Sequence, residues 1–274
     1  MSTILVAVVL LAVGAYVGFA AHLYFTQDQQ IFFPQRRVEI TPDQVGLPYD
    51  PVTLASSDGV TLHGWYITSA AHPRATVLYL HGNSGNIGNC LETARQLVML
   101  GLNVLVIDYR GYGDSTGTPS EQGMYQDAET AWRYLRDTRH ADAQEIVVYG
   151  HSLGGAVASW LAAKHTPGAL ILEAAFTSLP ESAADHYPWL PVRWLVRYRF
   201  DTLESLRKVH CPVLIIHSVD DQVIAYTHGL RLYEAVTGPK AMLDLHGTHN
   251  DAARNNPLEY THGIDNFLTR YMPP

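Results

Sequence analysis

The hydrophobic pattern changes character twice along the chain, and each change marks a different kind of structure. From Thr3 to Phe25 the apolar run contains no Asp, Glu, Lys or Arg and is long enough to cross a bilayer as one helix. Residues 27–37 form a polar, proline-containing connector with an aromatic knot at Ile31-Phe32-Phe33. Beyond it, residues 52–54 and 60–67 predict two strands joined at Ser57-Asp58-Gly59, a hairpin turn signal. From Ala75 onward, short apolar runs alternate with helical periodicities. Strands are predicted at 75–80, 104–107, 145–149, 169–172, 213–216 and 242–245, and helices at 89–100, 120–138, 156–163, 226–236 and 257–271. Strands that are apolar on both faces and separated by helices define a parallel sheet covered on both sides, with the hairpin as an antiparallel edge. The interval between Glu173 and Pro212 breaks this rhythm, being far longer than a connection in a compact domain needs. It predicts a small cap, about residues 175–211, over the mouth of a site. The expected organisation is an N-terminal anchor and flank at 1–27 and one α/β domain at 28–274.

The N-terminal run also fits a cleaved signal peptide, for which Gly18-Phe19-Ala20 is a passable cleavage site. Met1-Ser2-Thr3 supplies no positive n-region and the run exceeds the usual apolar region, so a retained membrane anchor is the expectation. Arg36 and Arg37 lie on its C-terminal side, a slender indication that this side is cytoplasmic. The formal net charge of −8 argues against nucleic acid as a partner, because phosphate binding needs a basic surface. Cys90 and Cys211 form no motif and read as buried free thiols.

The chemistry centres on Gly150-His151-Ser152-Leu153-Gly154, which follows an apolar, β-branched run and opens a helix. Strand, Gly-x-Ser-x-Gly and helix in that order make a nucleophile elbow, in which glycines avoid backbone collisions at a sharp turn and the Ser152 hydroxyl is lifted above the sheet. Its partners should come from loops at the carboxyl ends of later strands. Two such loops qualify, His217-Ser218-Val219-Asp220-Asp221-Gln222-Val223-Ile224 and His246-Gly247-Thr248-His249-Asn250-Asp251. Between them they offer Asp220 or Asp221 as an acid and His246 or His249 as a base, with Glu173 at an earlier strand end as a further carboxylate.

Five ordered stretches carry a resemblance: Tyr79-Leu80-His81-Gly82-Asn83, Asp108-Tyr109-Arg110-Gly111-Tyr112-Gly113, Gly150-His151-Ser152-Leu153-Gly154-Gly155, Asp221-Gln222-Val223-Ile224 and Gly247-Thr248-His249-Asn250-Asp251. Across residues 30–272 the chain resembles the α/β-hydrolase fold and, with its N-terminal run, the membrane-anchored serine hydrolases of that fold. The resemblance implies Ser152 as nucleophile, His249 as base and Asp221 as acid. It implies main-chain N–H groups of Leu153 and Asn83 as an oxyanion hole. Ser218 and Thr248 depart from the family pattern at positions that do not touch the chemistry. Asp108 reads as structural, bonding the 110–113 turn. His246, His249 and Asp251 lack the further ligands a metal needs, so neither metal nor cofactor is expected.

The function expected is hydrolysis of carboxylic esters or thioesters of small-molecule or lipid acyl substrates at a membrane. Amide hydrolysis is the alternative, and a non-catalytic scaffold fits poorly with a complete Ser-His-Asp set. In the cap, Trp189 and Trp194 are expected to bind substrate by roofing an acyl pocket. Arg193 and Arg197, four apart, are expected to share a basic helix face.

Overall fold

A computed structural model describes residues 3–69 and 73–272. One eight-stranded sheet is built from β1 (Tyr49–Ala55), β2 (Thr61–Ile67), β3 (Ala75–Leu80), β4 (Leu102–Ile107), β5 (Ile146–His151), β6 (Ala169–Glu173), β7 (Val213–Ser218) and β8 (Lys240–Leu245). Their spatial order is β8-β7-β6-β5-β3-β4-β2-β1. The hairpin β1–β2 and the β2–β4 pair are antiparallel and every other pair is parallel. This is the mostly parallel sheet with an antiparallel edge that the apolar runs predicted.

Seven helices of eight or more residues are described: α1 (Thr3–Phe25), α2 (Leu91–Met99), α3 (Glu121–Arg133), α4 (Leu153–His165), α5 (Leu179–His186), α6 (Tyr226–Ala235) and α7 (Pro257–Tyr271). Alternation along β3 divides the core. Leu78 and Leu80 pack with Met124 and Ala128 of α3, Val157 and Leu161 of α4 and Leu232 of α6. Val77 and Tyr79 face the other side, with Ala94 and Leu97 of α2 and Ile264 and Phe267 of α7. The sheet is therefore apolar on both faces because helices cover both. The predicted 120–138 helix is α3 followed by one wider π-helical turn, Tyr134–Thr138.

The cap interval folds as α5, a single turn at Val192–Leu195 and another short helix at Thr202–Leu206. This corrects the expected basic helix face. Pro191 starts the single turn and Val196 is already extended, so Arg193 lies on it and Arg197 does not. Both arginines are paired, Arg193 with Glu181 at 2.9 Å and Arg197 with Asp28 at 3.1 Å. None of the residues of α1 is buried, and its length and composition suit a membrane span. The connector after α1 returns to the sheet's edge of the site, where Phe33–Pro34 pairs in parallel with Ser84–Gly85.

Candidate active site

Ser152 sits between β5 and α4 at φ 54°, ψ −121°, a region that a side chain rarely occupies. Such backbone costs on the order of 1–3 kcal/mol and persists only where the surroundings dictate it. Here the Ser152 N–H donates to the Glu173 carbonyl on β6 at 2.8 Å. The flanking glycines are needed for space. A Cβ on Gly150 would lie 2.3 Å from the Gly154 carbonyl oxygen, and one on Gly154 would lie 2.1 Å from that of Leu80.

The parallel order of β6, β7 and β8 carries the loops holding Asp221 and His249 to the same edge. His249 Nε2 lies 3.0 Å from Ser152 Oγ, and its Nδ1 lies 2.7 Å from Asp221 Oδ2. The other oxygen of Asp221 accepts the N–H groups of Val223 at 2.8 Å and Ile224 at 2.9 Å. Burial pushes the Asp221 carboxyl upward, but the His249 bond and these two N–H groups outweigh it and hold the group below the usual carboxylate value. An ionised Asp221 only accepts, so the imidazole proton rests on Nδ1 and Nε2 is free to accept from the serine hydroxyl.

The other candidates are engaged elsewhere. His246 is exposed and pairs with Asp220 at 2.9 Å. The Glu173 carboxylate accepts from the Tyr149 hydroxyl at 2.6 Å, and that hydroxyl is also 2.6 Å from Tyr260. His217, absent from the expected site, donates from Nε2 to the Ile224 carbonyl at 2.9 Å, and this Nε2 lies 3.6 Å from Asp221 Oδ2. Burial lowers its pKa, so it supports the acid loop as a neutral side chain. The signal was its place near the end of the apolar strand from which the Asp221 loop leaves, four residues before that acid.

Leu153 begins α4, and Asn83 lies in the loop after β3, so both residues flank Ser152. The Asn83 loop is tied from three sides. The Asn83 carbonyl accepts the Phe33 N–H at 2.9 Å and the Tyr112 hydroxyl at 2.7 Å, and the Asn83 amide donates to the Ile31 carbonyl at 2.8 Å. Gly82 lies against the elbow, where a Cβ would sit 3.3 Å from His151 Nδ1 and 3.4 Å from Ser152 Cβ. Asp108 departs from its expected role: its carboxylate accepts the Ile87 N–H at 2.9 Å, whereas the Arg110 N–H goes to Asp127 at 2.8 Å. Burial pushes the Asp108 carboxyl up to about 7. Burial likewise pushes the neighbouring His81 down to about 4, leaving both neutral near pH 6.

A cavity of about 780 Å³ opens over Ser152 and His249. Phe176, Leu179, Val192, Leu195 and Val196 line it from the cap side, Leu23 and Tyr24 from the end of α1, and Gln27 from the connector that follows. Trp189 and Trp194 are not among its lining residues, which corrects the expected acyl-pocket roof. Trp189 stacks on Phe19 of α1 instead, and Trp194 is 89% exposed. Between the tryptophans Leu190 and Val192 are buried, and Val192 and Tyr187 line the cavity instead.

The fold and the elbow define a hydrolase of the α/β class, and comparison with known proteins agrees. A family model described as serine aminopeptidase, S33, matches residues 71–203. The α/β-hydrolase domain-containing protein WAV2 of Arabidopsis thaliana is 32% identical over 287 residues, covering 95% of this chain and 93% of that one. The lysophosphatidylserine lipase ABHD12 of Danio rerio is 35% identical over 198 residues, 65% of this chain and 51% of that one, so the match spans about half of the lipase. Among solved structures, the Pyrococcus furiosus esterase Pf2001 superposes with a TM-score of 0.73 at 22% identity, covering 88% of this chain and 98% of the other. The chain belongs to the α/β-hydrolase family and is a serine hydrolase.

Proposed function

We propose that the protein hydrolyses carboxylic ester or thioester bonds of acyl lipids at a membrane, with residues 1–27 as anchor and flank and residues 28–274 as the catalytic domain. Ser152 attacks the acyl carbonyl while His249 Nε2 takes its proton, and Asp221 holds the imidazole tautomer and stabilises the imidazolium. The N–H groups of Leu153 and Asn83 receive the oxyanion, an interaction of the kind whose loss costs about 3–4 kcal/mol. His249 then protonates the leaving alcohol or thiol, and water, activated by the same imidazole, releases the acid from Ser152. The observation that carries this reading is the hydrogen-bond chain from Asp221 through His249 to Ser152, 2.7 and 3.0 Å long, opening on a cavity with an aliphatic cap side. The lipase name of one relative adds support for a lipid ester. Amide hydrolysis draws on the description of the matching family model.

The test joins two measurements. A fluorophosphonate probe should label the wild type and not Ser152→Ala. A panel of esters, thioesters and anilides of rising acyl length should show kcat/KM increasing with chain length for the oxygen and sulfur esters, since acyl burial contributes about 0.8 kcal/mol per CH₂. Labelling of Ser152→Ala would remove the nucleophile assignment, and a preference for anilides would move the substrate to the amide class.

A further inference from the structure

The seam between α1 and the cap is made by residues far apart in sequence. The Trp189 ring stacks on Phe19 with centroids 5.6 Å apart and lies 6.2 Å from Tyr16, and the Tyr16 hydroxyl donates to the Trp189 carbonyl at 3.2 Å. Tyr16 and Phe19 stand about 9–13 Å inside the C-terminal end of α1 along its axis. A helix of this length, about 35 Å, exceeds a hydrocarbon core of about 30 Å by only a few ångströms. When α1 is inserted, Trp189 therefore lies below the membrane surface. The hydrogen bond fits that depth, because a hydroxyl and a main-chain carbonyl in lipid have no water to bind and here satisfy each other.

The surroundings agree. Trp194 is 89% exposed, and Trp189 remains 57% exposed despite its contacts with Phe19 and Tyr16, so both present large apolar surfaces outward. The arginines beside the tip are each held in an ion pair. Arg193 reaches Glu181, while Arg197 reaches Asp28 and lies 5.5 Å from the Tyr24 ring centroid, the arrangement of basic residues at a membrane interface. Leu23 and Tyr24, at the end of α1, also line the cavity that holds Ser152.

We infer that the cap tip, residues 187–194, is a second membrane-embedded element, seated in the leaflet beside α1, and that bilayer-resident substrate enters the cavity sideways between the two. The turnover of that substrate rests on the proposed hydrolase activity; the insertion does not. The experiment uses the full chain in phosphatidylcholine vesicles with and without mid-chain bromine. Bromine should quench tryptophan emission. Of the five tryptophans, Trp65 and Trp132 are buried in the domain, so more than half of the quenching should disappear in Trp189→Phe/Trp194→Phe. No quenching in the wild type, or equal quenching in the double variant, overturns the insertion. Trp194→Asp should lower turnover of a vesicle-embedded long-chain ester about tenfold relative to a soluble butyrate ester, and an unchanged ratio overturns sideways entry. A wild type that is quenched as expected but turns over no ester would refute the ester-hydrolysis reading and leave the insertion standing.

Discussion

Asp221→Asn exchanges one carboxylate oxygen for an amino group and so dictates the protonation of His249. In the native site Oδ1 already accepts two main-chain N–H groups, from Val223 and Ile224. In the variant the amide oxygen must keep that place, because an amino group there would face two donors. The NH₂ is then left 2.7 Å from His249 Nδ1, where Asp221 Oδ2 now sits. Nδ1 must become an acceptor, the ring proton moves to Nε2, and Nε2 donates to Ser152 Oγ instead of taking its proton. The same exchange in a serine protease triad lowers kcat about 10⁴-fold, or about 5.4 kcal/mol of barrier at 1.36 per decade. The assay is kcat and KM on a soluble short-chain ester with the rate of fluorophosphonate labelling, and KM should move little. Stability gives a second reading. A carboxyl whose folded pKa is depressed contributes stability above its unfolded value of about 4 and loses it as pH falls through the folded value, so the gap between wild type and variant should close in acid. A loss of kcat below tenfold, or a larger loss from Glu173→Gln, would refute the assignment of the acid.

Gly154→Ala should lower kcat/KM about 100-fold, since a Cβ 2.1 Å from the Leu80 carbonyl displaces the neighbouring Asn83 loop by about 1 Å; near-native kinetics in a folded variant would count against this. Asp108→Asn should gain stability relative to wild type as pH rises from about 4 to about 7. The native carboxyl, held protonated up to about 7 by burial, contributes less to stability across that window, and a pH-independent difference in urea unfolding would exclude this. Gln27→Ala should leave the Leu195 carbonyl and the Arg197 N–H unpaired, costing about 1–3 kcal/mol. A chain starting at Asp28 loses the same bridge, so it should keep Ser152 labelling with a raised KM for soluble esters; an unchanged KM would show that the cap holds without Gln27.

The parallel strands were legible because being covered on both faces leaves an unbroken apolar run, and the elbow because only glycine fits beside Ser152. The side chains of Ser152, His249 and Asp221 meet because each follows a strand of one sheet, a regularity that spacing and strand order convey. The cap was misread for a reason of the opposite kind. Trp189 owes its position to Tyr16 and Phe19, and Gln27 bridges Leu195 and Arg197, contacts that no local periodicity announces. Pro191 and the extended Val196 also limit helix to one turn in a stretch whose residue spacing looks helical. Asp108 escaped in the same way, since Ile87, which supplies its N–H, belongs to a different loop.

The strap of residues 31–35 across the Asn83 loop divides the N-terminus into a part that can be shed and a part that cannot. Proteolysis at Gly18-Phe19-Ala20 would detach the head from most of α1, yet leave Gln27, the Ile31 carbonyl and the Phe33 N–H in place. A cut between Asp28 and Phe33 removes bonds that hold Asn83 beside Ser152. Trypsin acting at Arg36 or Arg37 severs the strap from the body, although the Arg36 side chain is itself tied to the Ser115 carbonyl at 2.7 Å. A released enzyme would therefore carry its strap with it, and the same cleavage would remove Tyr16 and Phe19 from Trp189, exposing on the freed head the surface that had faced its anchor.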